Sequence, residues 1–232
     1  MTTTVPKLRP SLRLKSPRID IERSHWADGL NNVVGFDEVG KGAWAGPLTV
    51  GAVVIPKSQR VYKIRDSKQL REPEREAMFD RITDWAEAWA VGHASPAECD
   101  ELGMSDAQRL ASNRAIEALG FVPDHSLVDG NWDFISRGST TTIVKGDQRS
   151  LSIAAASIIA KVTRDRMMRE AAPEFPWYSF ESNKGYPCHK HRAALRSLGP
   201  STIHRTSWAF MVGIPWTGID GCAPDPEPLS LF

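Results

Sequence analysis

Cysteine, net charge and long apolar runs are all scarce in this chain, and each scarcity removes a class of protein. Its three cysteines, Cys99, Cys188 and Cys222, are odd in number, far apart and outside any metal-ligand spacing. They exclude a disulfide scaffold and a zinc ribbon, and they fit packing residues in a reducing, cytoplasmic setting. No apolar stretch approaches the roughly 20 residues of a membrane span. Met1 to Arg23 carries Lys7, Arg9, Arg13, Lys15 and Arg18 without a continuous apolar segment, which excludes a secretory signal. A net charge of +1 excludes attraction of a polyanion by bulk charge, so the distribution of charge matters more than its total. With 232 residues, 41% of them hydrophobic and 25% charged, the chain can bury a sizeable core in one large domain or two small ones.

Against this background the stretch Val33 to Gly42 stands out. Val33-Val34-Gly35-Phe36 has the apolar, β-branched character of a buried strand, and it runs into two adjacent carboxylates, Asp37 and Glu38. Taking a carboxylate out of water costs several kcal/mol unless a cation or good hydrogen bonds compensate, so a pair points to a bound metal. The turn Gly40-Lys41-Gly42 follows, with two glycines that allow close backbone approach to a ligand and a lysine that supplies a point charge. Together they suit a phosphodiester. Adjacent strand residues point to opposite faces, however, so Asp37 and Glu38 should diverge unless the strand end twists.

The acid pattern repeats. Ser126-Leu127-Val128-Asp129 is an apolar strand ending in a carboxylate, and Thr141 to Asp147 reads as another. One such acid is ordinarily a turn or helix cap, but three sites, one of them double, are hard to explain that way. Leu48 to Ile55 is a second strand, paired with the first as an antiparallel hairpin, and Ala88 to Gly92 a third strand. Helices are expected after Pro73, where Met78, Phe79, Ile82 and Trp85 fall at helical spacing, over Leu110 to Leu119 before Gly120, and from Ser150 as N-cap. That last helix is apolar and rich in small residues. Ser157, Lys161 and Arg164 share one of its stripes, which could face phosphate or solvent, and Asp165 reads as an ion-pair partner on the solvent side.

The order of elements gives an α/β layer, an antiparallel hairpin joined to parallel strands. Four regions follow: a flexible basic extension over 1–31, a catalytic domain over 32–172, a helical substrate-binding cap over 173–216, and an acidic, Pro-rich tail over 217–232. Ser182 to Ile219 lacks Asp and Glu but holds Lys184, Lys190, Arg192, Arg196 and Arg205 with His189, His191 and His204. Alone it would be a solvated cationic face; beside acidic strand ends it reads as a footprint opposite nucleic-acid phosphates.

The assembled blocks closely resemble the ribonuclease HII family, the type 2 ribonucleases H. They are Gly35 to Gly42, Asp66-Ser67-Lys68-Gln69-Leu70, Val128-Asp129-Gly130, Lys145-Gly146-Asp147, Ala155 to Asp165, Asn183-Lys184-Gly185-Tyr186 and His204 to Trp208. The resemblance implies a ribonuclease H-like fold, with a mixed five-stranded sheet flanked by helices and a C-terminal helical subdomain. It implies Asp37, Glu38, Asp129 and Asp147 as metal ligands and catalytic acids for Mn²⁺ or Mg²⁺, two ions with substrate bound. It places the reading of the ribose 2′-hydroxyl on Gly40, Lys41 and Gly42, and stacking at the ribonucleotide–deoxyribonucleotide junction on Tyr186. Lys68, Ser157, Lys161 and Arg164 complete the expected substrate contacts. The sequence departs from the family where Lys41 replaces a common arginine and where Pro187-Cys188 follows Tyr186 in place of Gly-Thr. The implied reaction is hydrolysis of the RNA strand of hybrids and incision 5′ of single ribonucleotides in DNA by a monomer. A related carboxylate nuclease, exonuclease or resolvase, or a non-catalytic hybrid-binding module, are the alternatives, and metal-dependent cleavage separates them. The final Leu229-Ser230-Leu231-Phe232 resembles the peptide by which bacterial replication proteins hold the sliding clamp, with Pro228 in place of the usual Gln; a frayed apolar terminus is the plainer reading.

Overall fold

The computed structural model describes residues 16–58 and 64–214. The clamp-like residues Leu229, Leu231 and Phe232, the rest of the tail, Cys222 and residues 1–15 lie outside that range.

The sheet has five strands: β1 (Val33–Val39), β2 (Leu48–Val54), β3 (Ala88–Ala94), β4 (His125–Asp129) and β5 (Thr140–Ile143). Their order across the sheet is β3-β2-β1-β4-β5. β1 pairs antiparallel with β2 and β2 with β3, whereas β4 runs parallel to β1 and β5 parallel to β4. Beta-branched residues buried on both faces explain the hairpin, and alternation sends Val34 and Phe36 into the core on one face with Val50, Ala52 and Val54.

Helix α3 (Pro96–Leu119) covers that face through Ala107, Ala111, Ala115 and Ile116. It starts well before the expected Leu110, with Ser95 as N-cap accepting from the Glu98 amide and with a break at Gly103. On the other face lie α2 (Glu72–Trp85) and α5 (Leu151–Ala171), which bury Met78, Ile82, Ile158 and Ile159 around Val53. The small residues of α5 let it press onto β1: a Cβ on Gly35 would lie 2.3 Å from the Ser152 carbonyl carbon. Ser150 caps α5 as expected.

Two expectations fail here. Residues 20–27 of the supposed flexible extension form helix α1 (Asp20–Ala27). It is fixed by fully buried Glu22, whose Oε1 accepts from the Ser150 hydroxyl (2.6 Å), the Ser152 amide (2.8 Å) and the Ser152 hydroxyl (2.8 Å). Asp147 is not at a strand end either. β5 stops at Ile143, Lys145 takes a left-handed φ of 56°, and Asp147 sits on the one-turn helix α4 (Gly146–Arg149).

The C-terminal part contains α6 (Phe180–Asn183) and α7 (His189–Leu198) and packs Phe175, Tyr178, Phe180 and Ala194 on Ala45 and Met168. The cationic footprint is only partly a surface. Lys184, His191, His204 and Arg205 are buried, which leaves His189, Lys190, Arg192 and Arg196 exposed. Cys99 is a core residue and Cys188 caps α7 through its Sγ. Among the described residues no helix is long and apolar enough to cross a membrane.

Candidate active site

The C-terminal ends of β1 and β4 and the start of α4 meet on one side of the sheet, where the chain leaves β1 in one direction and β4 in the other. Open α/β sheets form crevices at such points. Asp37 shares the face of Gly35, toward α5, and its Oδ1 accepts from the Glu38 amide at 2.8 Å. The β1–β4 ladder ends at Phe36 and Val128. Beyond it β4 no longer runs beside β1, while β2 still pairs with Glu38 through Val50, and Glu38 lines the same cavity as Asp37 although alternation alone would send it to the opposite face. Asp129 ends β4, and its Oδ1 accepts from the Gly146 amide at 2.6 Å, tying the start of α4 to that strand.

The cavity, about 290 Å³, is lined by Asp37, Glu38, Val39, Ser67, Lys68, Arg75, Ser157, Lys161 and Tyr186. Its electrostatics show that the acids share a field. Burial first, then Glu38 and Asp129, push the Asp37 carboxyl well above the usual carboxylate range, while Ser157 works against them. Burial raises Glu38 too, with Lys41 opposing and Asp129 reinforcing. Asp147 is pushed up to about 6 by burial, Asp66 and Asp129, with Lys68 opposing. The Lys68 ammonium lies 3.7 Å from Asp147; burial pulls its pKa down, but Asp37, Asp147, Asp66 and Asp129 carry it above its ordinary value.

Asp66 was not singled out from the sequence. It is buried, its Oδ1 accepts from the Lys68 amide at 2.8 Å, and it is the second largest cause of the raised Asp147 pKa. The signal is the Asp66-Ser67-Lys68 block, where Asp66 caps the short turn that follows. Arg75, a further cavity residue missed from sequence, approaches Asp165 at 3.7 Å.

The remaining candidates divide. Ser157 donates to Ser67 Oγ at 2.8 Å and Lys161 Nζ to Asp165 Oδ1 at 2.6 Å, both at the cavity wall. Asp165 is buried between Lys161 and Arg75, not on a solvent stripe. Arg164, expected to face phosphate, has no exposed surface. Its guanidinium donates to the carbonyls of Pro47 (2.7 Å), Lys184 (2.8 Å) and Ala45 (2.9 Å). Buried Arg205 adds bonds to Gly46 (2.9 Å) and Lys41 (3.3 Å). The segment between β1 and β2 pairs with no strand along most of its length, so two buried arginines satisfy its carbonyls instead.

That segment holds the Gly-Lys-Gly turn. The Ala43 amide closes it on the Gly40 carbonyl at 3.1 Å, and the Gly40 amide donates to the Tyr186 hydroxyl at 3.0 Å. Gly40 needs its glycine: φ is 91°, and a Cβ would lie 2.4 Å from Arg164 Nε. Lys41 and Gly42 are exposed, with Lys41 Nζ 5.4 Å from the Trp132 ring centre.

Carboxylate oxygens are the donor set that hard divalent cations prefer, and raised carboxylates in a shared cavity are what such a cation would neutralise. Among the described residues no three His, Cys, Asp or Glu side chains are already gathered as a finished metal cage. A stability prediction follows. Folded Asp147 keeps its proton between its ordinary 3.8 and about 6, where the unfolded chain has lost it, so its contribution falls as pH rises through that window. In chelator, Asp147→Asn should melt higher than the parent above pH 6, by roughly 2–4 °C per kcal/mol relieved, and equal it near pH 4. Melting curves showing no pH-dependent gap would contradict the raised Asp147.

The family model described as ribonuclease HII matches residues 34–211. The ribonuclease HII of Streptomyces avermitilis is 42% identical over 91% of this chain and 95% of that protein. Among solved structures, the ribonuclease H2 of Pyrococcus horikoshii aligns with a TM-score of 0.65 at 28% identity, over 78% of this chain and 95% of that one. The ribonuclease HII of Archaeoglobus fulgidus, solved as a complex with PCNA, aligns with a TM-score of 0.66 at 26% identity, over 77% and 95%. By family model, sequence identity and fold together, the chain belongs to the ribonuclease HII family and is a ribonuclease H, a hydrolase acting on the RNA strand of RNA/DNA hybrids.

Proposed function

We propose that this ribonuclease H also incises duplex DNA on the 5′ side of a single embedded ribonucleotide, leaving a 3′-hydroxyl upstream and a 5′-phosphate on the ribonucleotide. The observation that carries this reading is the 3.0 Å bond from the Gly40 amide to the Tyr186 hydroxyl beside the acid cavity. It joins the turn that would inspect the sugar to the ring that would pack on its neighbour. Both border the acids that would hold the metal ions.

Asp37, Glu38, Asp129 and Asp147 would hold Mn²⁺ or Mg²⁺, two ions once substrate is bound. When bound, such an ion supplies Lewis-acid activation of water and of the phosphodiester. The chain does the rest. Only the 2′-hydroxyl separates RNA from DNA at one nucleotide, and the backbone of Lys41 and Gly42 can reach it because no bulky side chain intervenes at Gly42. The Gly40 amide is already committed to Tyr186, so it acts by fixing the ring. Tyr186 would pack against the adjoining deoxyribose, where a second hydroxyl would be excluded. Lys68 and Lys161 place ammonium groups at the cavity wall for the phosphates, Ser157 fixes the floor beside Asp37, and Arg164 holds the turn from behind.

Lys68 tests the phosphate role, since its side chain is 77% exposed and can be shortened without cost to the core. Lys68→Ala should raise KM about tenfold and reduce the salt dependence of binding by about one counterion. An unchanged salt slope would remove Lys68 from the phosphate path.

A DNA duplex containing one ribonucleotide, incubated with Mg²⁺, Mn²⁺ or chelator, tests the whole reading. One metal-dependent cut 5′ of the ribonucleotide is expected. Progressive loss from the ends would indicate an exonuclease, and binding without cutting a hybrid-binding module. The Archaeoglobus relative was solved with a sliding clamp, and Leu229, Leu231 and Phe232 are the candidate contacts here. Deleting residues 228–232 should abolish capture by a bacterial clamp; undiminished capture would exclude that role.

A further inference from the structure

Tyr186 is held at three points. Its amide donates to the Asn183 carbonyl (3.0 Å), its hydroxyl accepts from Gly40, and its carbonyl faces His191 Nδ1 at 3.0 Å. The third contact is one end of a buried chain. His191 Nε2 lies 2.8 Å from His204 Nε2, and His204 Nδ1 accepts from the Ser201 amide at 2.8 Å, with the Ser201 hydroxyl 2.7 Å from the same nitrogen.

The two ends fix every proton between them. The Ser201 amide can only donate, so His204 Nδ1 carries a lone pair and its proton is on Nε2. The Tyr186 carbonyl can only accept, so His191 Nδ1 carries the proton and its Nε2 a lone pair. The lone pair of one ring therefore meets the proton of the other. Only one tautomer of each neutral ring satisfies all three bonds, and a second proton on either would set two donors face to face.

The surroundings keep both rings in that state. His191 has no exposed surface and His204 3%. Tyr178 and Phe180 face both, with ring centres 4.8 to 6.1 Å away. Burial, then His191, draws His204 down to about 3, and burial lowers His191 also. Two aliphatic side chains would fill this volume without burying polar nitrogens. What they could not do is deliver one N–H to one carbonyl of the Tyr186 loop.

We propose that His191 and His204 are positioning residues: a two-imidazole relay, anchored at Ser201, that fixes the Tyr186 backbone and so aims its ring at the sugar beside the cleaved ribonucleotide. This rests on the junction role of Tyr186 given above. The relay predicts that losing the His191 N–H lowers selectivity, which Tyr186 provides, more than hydrolysis itself.

The measured quantity is the ratio of kcat/KM for a single-ribonucleotide duplex to that for a continuous RNA/DNA hybrid. Tyr186→Ala should cut this ratio roughly tenfold and His191→Leu about three- to tenfold, the scale of one well-placed hydrogen bond. His191→Asn, which keeps an N–H near the Nδ1 position, should restore it to within about twofold of the parent. In the Tyr186→Ala background, His191→Leu should change the ratio less than about twofold, because the two act as one unit. An unchanged ratio in Tyr186→Ala would overturn the junction reading, and the relay with it. If Tyr186→Ala lowers the ratio, an unaffected His191→Leu, equal losses in His191→Leu and His191→Asn, or additive losses in the double variant would overturn the relay alone. Nitrogen-15 NMR of the parent protein tests it without substitution: His191 should be the Nδ1–H tautomer and His204 the Nε2–H tautomer, and any other pair of states overturns the assignment.

Discussion

Asp37→Asn should lose cleavage by on the order of a thousandfold or more in kcat, about 4 kcal/mol of transition-state stabilisation, while the metal-free protein melts at a higher temperature than its parent. The two effects have one cause. Asp37 is 4% exposed, and burial with Glu38 and Asp129 disfavours its charge. Asn keeps the oxygen that accepts from the Glu38 amide at 2.8 Å and removes only the charge. Folding is relieved of a penalty that the proposed cation site requires. Metal should stabilise the parent on melting and the variant much less, because binding to the native state is what supplies that stabilisation. An active Asp37→Asn, or one that melts lower in chelator, would contradict the arrangement. Asp129 makes a useful contrast. Asp129→Asn keeps the acceptor for Gly146, whereas Asp129→Ala also frees the start of α4 and with it Asp147.

The strands were legible because burial on both faces of a sheet leaves a continuous apolar, β-branched run, and Asp37, Glu38 and Asp129 were legible because they end it. The third strand, expected over Ala88 to Gly92 and found over Ala88 to Ala94, the Ser150 cap and the hairpin-plus-parallel order all follow from such local signals. What was not legible depends on tertiary neighbours. Glu38 lines the cavity with Asp37 at the point where β1 has lost β4 on one side and keeps β2 on the other, a fact about pairing and not about β1 itself. Helix α1 is held by Glu22 at Ser150 and Ser152, partners 128 and 130 residues away, so its polar sequence reads as an extension. His191 and His204 look like parts of a cationic surface until aromatic packing removes them from water. Lys161 and Arg164 share one stripe of α5, and sequence cannot tell that one edges the cavity while the other passes beneath the turn.

Arg164→Met should therefore cost on the order of 3 kcal/mol or more, and Lys161→Met less. Methionine retains most of the stem volume but none of the donors. It leaves the carbonyls of Ala45, Pro47 and Lys184, all now satisfied by the guanidinium, inside the protein without partners. Each buried orphan carries a penalty of about 1–3 kcal/mol, and Arg205 cannot replace them because it is engaged at Lys41 and Gly46. Urea unfolding would show a lower midpoint with a similar slope if the native fold survives. The carbonyls belong to the turn segment and to the loop before Tyr186, so cleavage should fall together with stability. Lys161→Met should lower the midpoint less than Arg164→Met, because buried Asp165 loses the ammonium 2.6 Å away but keeps Arg75 at 3.7 Å, and should raise KM, since that ammonium lies at the cavity wall 5.5 Å from the Tyr186 ring centre. A stable Arg164→Met with weakened substrate binding would reverse these assignments and return Arg164 to the phosphate path that its place in the sequence first indicated.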